Sequence, residues 1–168
     1  MTASARQAIA MRPFLPADAP LVAEIFRASI GELTADDYGD AQREAWAATA
    51  DDEKAFGARL AGQLTLLGTV GGAPVGFASL KGNDHVDMLY VHPAAAGQGV
   101  ASTLMDALEK LAAARGAAKL TAEVSDSAQE FFKKRGFVPQ QRNSVRLGGE
   151  WLANTTMDKT LAAKEPVR

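Results

Sequence analysis

Two closely spaced glycines, Gly97 and Gly99, stand between a stretch rich in Val and Leu and a run of apolar residues at helical spacing. Pro93 ends the first stretch, because proline cannot donate to a sheet ladder. Glycine lets the backbone turn tightly, and Val100 then opens the helical run. A helix that starts directly after such a loop presents unpaired amides and the positive end of its dipole. The pattern therefore predicts a binding site for a phosphate or pyrophosphate group.

His85 and Asp87 are the candidate proton acceptors, because they lie two residues apart on one predicted strand and so share a face. Histidine titrates near neutral pH, which suits the removal of a proton directly or through water. Both positions also have plainer interpretations, His85 as a polar residue at a strand start and Asp87 as a cap or ion-pair partner. His92, which precedes Pro93, fits a turn.

The composition excludes several classes of site and partner. The 168 residues include no cysteine, which excludes disulfides and thiolate chemistry and makes a cytoplasmic location the default. With two histidines, a metal site is not expected. The net charge of -2 gives no general attraction to nucleic acid or to an anionic membrane. Residues 1–10 lack the apolar core of a signal peptide, and no apolar run is long enough to span a bilayer.

The first half of the chain is predicted to supply one strand and three helices. The strand covers 7–14, and the first helix follows with Asp18 as its N-cap. Two more helices are predicted over 36–50 and 51–61. The face of the first helix that is predicted to be buried consists of Leu21, Ile25 and Ile30.

The middle of the chain reads as an antiparallel meander followed by a parallel strand. Glycines at 71–72 and a turn at 83–84 separate its members. The long helix ends at Gly116, and because it joins two strands, the next strand is predicted to run parallel to its predecessor. The meander strands are predicted over 64–70, 74–82 and 85–91, and the parallel strand over 119–124.

The last part is predicted to hold a short capped helix over 125–136 and a final antiparallel pair on either side of a loop at 146–150. One α/β domain over 7–161 accounts for all of these elements. The terminal tails, 1–6 and 162–168, are expected to lie outside it.

This order of elements, together with two motifs, resembles the GCN5-related N-acetyltransferase (GNAT) family. The family's acyl-CoA loop, Gln/Arg-x-x-Gly-x-Gly/Ala, has its counterpart at 96–101, directly after the apolar segment 89–93. The second motif combines an alanine, two aromatics and a Gly-Phe pair, here Ala128, Phe131, Phe132, Gly136 and Phe137. The resemblance covers about 9–161.

The resemblance implies a mixed α/β fold whose mostly antiparallel sheet is flanked by helices and splayed between the fourth and fifth strands. It implies acetyl-CoA as co-substrate, with loop amides on the pyrophosphate and strand backbone groups on the pantetheine arm. Ala96 replaces the family's usual Gln or Arg, which removes one side-chain contact but no amide. The residues expected to contact the cofactor are Leu89, Tyr90, Val91, Gly97, Gln98, Gly99, Val100, Ala101, Ser102, Ser127, Phe131, Phe132 and Lys134.

Acyl transfer needs a base for the amine and an acid for the leaving thiolate. Family members often place a tyrosine as that acid at the second aromatic of the motif, where this chain has Phe132. His85 falls where several relatives carry a glutamate, so His85 and Asp87 are the expected catalytic residues. Tyr90 is predicted to face away from Leu89, on the other side of the strand.

The first helices and the last hairpin cover the acceptor side in this family. Tyr38, Trp46 and Trp151 are candidate pocket residues there. Residues such as Tyr38 and Trp46 at helical spacing more often belong to a core, and Trp151 fits a pocket or the sheet. Acidic residues between 32 and 40 would favour a cationic amine, unless they form an ordinary solvated face. The edge formed by the last strands leaves a homodimer open.

The resemblance implies transfer of an acetyl group to a primary amine, on a small molecule or a peptide or protein, by direct attack in a ternary complex. Three alternatives remain open: a non-catalytic acyl-CoA-binding or sensing module, an acyltransferase for a longer acyl group or a hydroxyl acceptor, and a loop without ligand. A dinucleotide-binding turn is a fourth, with Glu123 ending the next strand, but Ser102 replaces its third glycine.

Overall fold

A computed structural model describes residues 8–161, which form a seven-stranded sheet with helices on both faces. The predicted tails and the first residue of the first predicted strand lie outside the described residues. The strands are β1 (Ile9–Pro13), β2 (Leu64–Val70), β3 (Ala73–Lys81), β4 (His85–Val91), β5 (Lys119–Ser125), β6 (Val138–Leu147) and β7 (Glu150–Thr160). The helices are α1 (Ala19–Leu33), α2 (Asp40–Ala47), α3 (Glu53–Ala61), α4 (Val100–Ala114) and α5 (Gln129–Lys134).

The strand order is β1-β2-β3-β4-β5-β7-β6, and among the described strands only the β4–β5 pair is parallel. The predicted mixed, mostly antiparallel sheet is therefore confirmed, and a doubly wound dinucleotide fold is not what this chain adopts. β6 is an outer strand of the sheet, and the homodimer that its edge suggested stays a prediction.

Two apolar clusters hold helices on opposite faces of the sheet. Residues of α1 and α3 pack on one face, around the fully buried Phe77 of β3. Residues of α4 and α5 pack on the other, around Leu104 and Met157. The sheet is thus the middle of three layers, and its β4–β5 region is accessible from both sides.

The parallel pair β4–β5 is held together only at its start. Its register consists of His85 with Thr121 and Val86 with Ala122, and the two strands diverge beyond that point. The predicted splay between the fourth and fifth strands is confirmed. Because the strands separate, both leave ladder groups unpaired along the gap.

A bulge in β4 sets the direction in which the later residues face. Ser79 of β3 pairs with Met88 and Leu80 pairs with Val86, so Asp87 is the extra residue. An extra residue reverses the alternation of the strand beyond it.

Beyond the bulge, the backbone of β4 presents alternate residues to the gap. The His92 amide donates to the Val75 carbonyl at 2.8 Å, so the groups of Leu89 and Val91 point away from β3 and toward the splay. Their side chains pack beneath α4, whereas Tyr90 packs beneath α1. The prediction that Tyr90 and Leu89 lie on opposite faces is confirmed.

The start of α4 approaches the sheet very closely. A Cβ on Gly76 would lie 2.9 Å from Val100 Cγ1 and 3.1 Å from the Tyr90 carbonyl, and one on Gly68 would lie 3.1 Å from the same Cγ1. Glycine at these two positions therefore lets the first turn of α4 sit directly over β2 and β3. This contact fixes the helix N-terminus beside the splay.

Several boundaries differ from the sequence predictions. The predicted helix over 36–50 is shorter, because Thr34 to Gly39 form turns and α2 begins only at Asp40. Leu21 is 39% exposed and does not belong to the buried face, where Val22 takes its place. Asp18 does stand at the N-cap position, but its carboxylate pairs with Arg12 instead of capping.

The last loop is also shorter than predicted. β6 continues to Leu147 and β7 starts at Glu150, so only Gly148 and Gly149 join them. Both have positive φ, +52° and +84°, which matches the twist of a tight two-residue hairpin.

Candidate functional site

The glycine loop delivers a row of unpaired amides to the splay. Gly97 and Gly99 have φ values of +76° and +87°, a region that residues with a Cβ rarely adopt. The first amide of this segment to be bonded is that of Thr103, which donates to the Gly99 carbonyl at 3.0 Å. Among the described residues, no acceptor engages the amides of 97–102. They stand at the positive end of α4, an arrangement whose unpaired donors and dipole suit an anion.

A cavity of about 620 Å³ runs from this loop along the gap between β4 and β5. Leu89 and Val91 supply its wall on one side, and the β5–α5 turn supplies the other. Of the residues predicted to contact the cofactor, the lining contains Leu89, Tyr90, Val91, Gly97, Gly99, Val100, Ala101, Ser102, Ser127 and Phe131. We call this the cofactor cavity.

Three predicted cofactor residues lie outside that lining. The Gln98 amide group donates to the Ala94 carbonyl at 3.3 Å, within the loop. Lys134 is exposed at the end of α5. Phe132 is buried in the core against Phe137 and lines a different cavity. Their contact with a cofactor stays a prediction.

A second cavity, of about 330 Å³, opens on the α1 face of the splay, and we call it the acceptor cavity. His85 and Asp87 line it from β4, and Tyr38 and Trp46 line it from the α1–α2 region. The two cavities share five lining residues, Trp46, Leu89, Tyr90, Ser125 and Ala128. A group bound at this junction is reached from both faces of the sheet.

His85 is oriented by its neighbour on β5. Its Nδ1 lies 2.7 Å from Thr121 Oγ1, and that hydroxyl also lies 3.3 Å from the Asp84 carbonyl, which it can donate to. With the hydroxyl proton directed to the carbonyl, Nδ1–H is the donor to Oγ1. The Nε2 atom then keeps its lone pair and is the basic nitrogen of the ring.

Asp87 is fully engaged by side chains of α3 and of the turn between α3 and β2. Arg59 donates to both carboxylate oxygens at 2.9 Å, and Gln63 donates to one of them, also at 2.9 Å. Burial acts to raise the pKa of Asp87, but these hydrogen bonds outweigh it and hold the pKa below its usual value. Asp87 is therefore poorly suited to accept a proton, although it was an expected catalytic residue.

Tyr90 combines burial with an uncommitted hydroxyl proton. The Trp46 indole N–H donates to the Tyr90 hydroxyl at 3.3 Å, and no described residue accepts from that hydroxyl. Burial raises the pKa of Tyr90 to about 12, so the group stays protonated at neutral pH. It is a hydrogen-bond donor at the junction of the cavities.

The Tyr38 hydroxyl links three segments around the acceptor cavity by hydrogen bonds. Its hydroxyl donates to the Ala153 carbonyl at 2.5 Å and accepts from the Asp126 amide at 2.9 Å. Burial raises the pKa of Tyr38. Trp151, by contrast, is 58% exposed, lines neither cavity and lies under the guanidinium of Arg146.

Comparison with known proteins agrees with this geometry. The family described as "Acetyltransferase (GNAT) domain" matches residues 34–161. The chain belongs to the GNAT acetyltransferase family. An uncharacterised N-acetyltransferase, YafP of Escherichia coli K12, is 30% identical over 149 residues, which are 89% of this chain and 94% of that protein.

Solved GNAT structures share the fold. A crystal structure from Rhodopseudomonas palustris, described as a GCN5-related N-acetyltransferase and also as a class-II aminotransferase, is 62% identical, with a TM-score of 0.91 over 95% of this chain and 100% of that one. The paiA N-acetyltransferase of Thermoplasma acidophilum, solved with coenzyme A, is 19% identical, with a TM-score of 0.76 over 91% of this chain and 99% of that one. At that identity the likeness concerns the fold.

Sequence reasoning missed several residues of this GNAT site. Arg59 and Gln63 precede Asp87 by more than twenty positions, and nothing in their local sequence marks them as its partners. Glu123 lines the acceptor cavity, where it accepts hydrogen bonds from Asn143. Its only signal was its place at the end of a strand.

Two further properties of residues 8–161 concern metal binding and membrane insertion. No group of three or more His, Cys, Asp and Glu is placed to hold a metal ion in that part of the GNAT chain. Within the same residues, no helix has both the length and the apolar character to cross a membrane.

Proposed function

We propose that this GNAT domain transfers the acetyl group of acetyl-CoA to a primary amine of a small molecule or a peptide, by direct attack in a ternary complex. The observation that carries the proposal is the meeting of two cavities at the splay. One is lined by free amides, the other by an oriented histidine, and they share a wall at Leu89 and Tyr90.

The cofactor cavity fits coenzyme A by its chemistry. The amides of 97–102 suit a pyrophosphate, which needs several N–H donors and positive potential. The backbone groups of Leu89 and Val91 suit the amide-containing pantetheine arm, which would add to β4 as a strand does. Acetyl-CoA supplies an activated thioester, and this arrangement directs it to the junction.

His85 is the proposed base. His85 lines the acceptor cavity, and Nε2 is its basic nitrogen. In this proposal Nε2 accepts the proton that the attacking amine loses as the new C–N bond forms and the C–S bond breaks. Thr121 holds the ring by its Nδ1. Asp87, neutralised by Arg59, is assigned no proton transfer.

Tyr90 is the proposed donor to the leaving thiolate. Phe132 has no proton to give, whereas the Tyr90 hydroxyl stands at the junction with its proton free. A pKa of about 12 exceeds that of an ordinary thiol, so Tyr90 stabilises the thiolate by a hydrogen bond, and solvent supplies the proton that makes the free thiol. In this proposal the reaction does not require a proton donor at the position of Phe132.

The deciding experiment is calorimetric titration with acetyl-CoA and, separately, with NAD, followed by thiol release in the presence of an amine panel. We expect saturable binding of acetyl-CoA alone and amine-dependent release of coenzyme A. Absence of acetyl-CoA binding would overturn the proposal. Competition by longer acyl-CoA thioesters then defines the acyl preference.

A non-catalytic acyl-CoA-binding module is the second candidate, favoured by Phe132 at the position of the family's usual acid. Binding of acetyl-CoA without thiol release for any amine, in the wild type and in Phe132→Tyr, would select it. Release by the wild type excludes it.

A further inference from the structure

Glu123 is an exposed residue at the edge of the acceptor cavity, and one of its carboxylate oxygens is unused. Its Oε2 accepts from Thr156 Oγ1 at 2.7 Å and from Asn143 Nδ2 at 3.0 Å. Within residues 8–161 its Oε1 accepts no hydrogen bond, and no Lys, Arg or His nitrogen pairs with it. Asn143 is itself fixed, since it also donates to Asn154 Oδ1 at 3.0 Å. The carboxylate is therefore positioned before any ligand arrives.

The charges around Glu123 do not balance it. Asp87 and Arg59 neutralise each other in the same cavity. Beside the cavity, Asp126 and Arg142 also form a close pair, with atoms 2.5 Å apart. Glu123 is therefore the unpaired carboxylate among the described residues that line the acceptor cavity, and it gives the cavity a negative potential.

Aromatic rings line the same cavity as this charge. Tyr38 and Trp46 pack edge to face with ring centroids 5.3 Å apart, and Tyr90 continues the wall at 6.3 Å from Trp46. Rings of this kind accept alkyl chains and cations but offer little to an anion. Charge and wall both favour a cationic ligand with an aliphatic body.

We propose that Glu123 is a specificity-determining residue that binds a second cationic group of the acceptor, so that the acceptor is an amine carrying another positive charge. The idea rests on the proposed acetyl transfer. Ser125, which lines the junction, lies two residues further along β5, or about 6.6 Å. A flexible linear diamine spans that distance with one amine at the junction and the other at Glu123.

The test compares a linear diamine of four methylene groups with n-pentylamine, which has the same number of heavy atoms but one charge. We expect the wild type to show a higher kcat/KM for the diamine, and Glu123→Gln to lower the ratio of the two values about tenfold, as loss of a charged hydrogen bond does. Glu123→Asp, which keeps the charge, should recover part of the ratio. Glu24→Gln, on the exposed face of α1, is the matched control.

Binding provides a readout that does not depend on turnover. The diamine is titrated into the coenzyme A complex by calorimetry, and its Kd should be about tenfold higher for Glu123→Gln than for the wild type. Added salt should raise the Kd only in proteins that carry an acidic residue at position 123. Equal ratios in the wild type and Glu123→Gln would overturn the role of Glu123 while leaving acetyl transfer intact. If no amine is acetylated, the proposed function fails, and diamine binding that is lost in Glu123→Gln still supports the site.

Discussion

The two cavities that meet at the splay present different kinds of chemical group to a ligand. The polar groups that the cofactor cavity offers to a ligand are mainly backbone: the amides of 97–102 and the ladder groups of Leu89 and Val91. The acceptor cavity is formed by side chains from distant parts of the chain, among them Tyr38 and Glu123. Binding in the cofactor cavity should therefore depend mainly on backbone conformation, whereas binding in the acceptor cavity should depend on which side chains are present. Substitutions should therefore act differently in the two halves.

Gly99→Glu tests the backbone half and should have the largest effect. A side chain at φ +87° strains the loop, and the added carboxylate would repel the pyrophosphate from the amides. We expect the Kd for acetyl-CoA, measured by calorimetry, to rise by about a thousandfold or more, in the range expected when an unpaired like charge enters a polar site. Gly71→Glu, at φ +60° in the β2–β3 turn, carries the same charge and similar strain away from the cavity. Unchanged affinity in Gly99→Glu would contradict the loop assignment.

His85→Gln tests the side-chain half. Gln keeps a polar group near Thr121 but accepts no proton, so kcat should fall about a hundredfold, which is typical for loss of a general base. The Kd for acetyl-CoA should not move, because the residue lines only the acceptor cavity. His92→Asn, in the turn after β4, is the control. A kcat within twofold of the wild type would remove His85 from the mechanism.

Tyr38→Phe separates the acceptor wall from the cofactor groove. The substitution deletes the donor to the Ala153 carbonyl and the acceptor of the Asp126 amide. The free energy of unfolding should fall by about 2 kcal/mol, since each buried bond contributes roughly 1 kcal/mol. Steady-state kinetics should show a higher KM for the amine and an unchanged KM for acetyl-CoA. A change confined to the KM for acetyl-CoA would mean that the Tyr38 hydrogen bonds support the cofactor cavity instead of the acceptor cavity.

The ion pair of Asp87 gives the smallest effect and a pH signature. Because the folded pKa is lowered, the pair stabilises the protein above the ordinary carboxylate pKa, and the contribution is lost as the pH falls through the folded value. Denaturant unfolding of Asp87→Asn should show a deficit of about 1 kcal/mol at pH 7, because Arg59 is half exposed and solvent screens the pair. The deficit should shrink below about pH 4. A stability deficit that grows as the pH falls would mean that folding raises the pKa of Asp87 instead of lowering it.

The sequence predicted the backbone half better because its signals are local. Pro93, Gly97 and Gly99 indicate where a strand ends and a tight loop begins. A helix that connects two neighbouring strands predicts that they run parallel. The bulge at Asp87 was not predictable, since a single extra residue leaves no mark in composition. Nor was the shortening of the second helix.

The acceptor half could not be read from the chain for a physical reason. Its contacts join residues far apart, such as Tyr38 with Ala153 and Arg59 with Asp87, and pairings at that separation have no period. Tyr38 and Trp46 were proposed as pocket residues and do line the cavity, while Trp151 does not. The prediction for Trp151 was wrong because the hairpin between β6 and β7 is shorter than predicted, and Trp151 is exposed to solvent beside it.

The extra residue of β4 also bears on how this chain can change during evolution. Val86 pairs with Leu80 and Met88 pairs with Ser79, so removing Asp87 would leave an even ladder in which every later residue keeps its face. Tyr90 would stay beneath α1, and Leu89 would stay beneath α4. The deletion would instead remove the carboxylate that accepts hydrogen bonds from Arg59 and Gln63. One lost codon would thus cost an ion pair while both packed layers persist, so the length of this strand is expected to vary more readily among descendants than its apolar side chains.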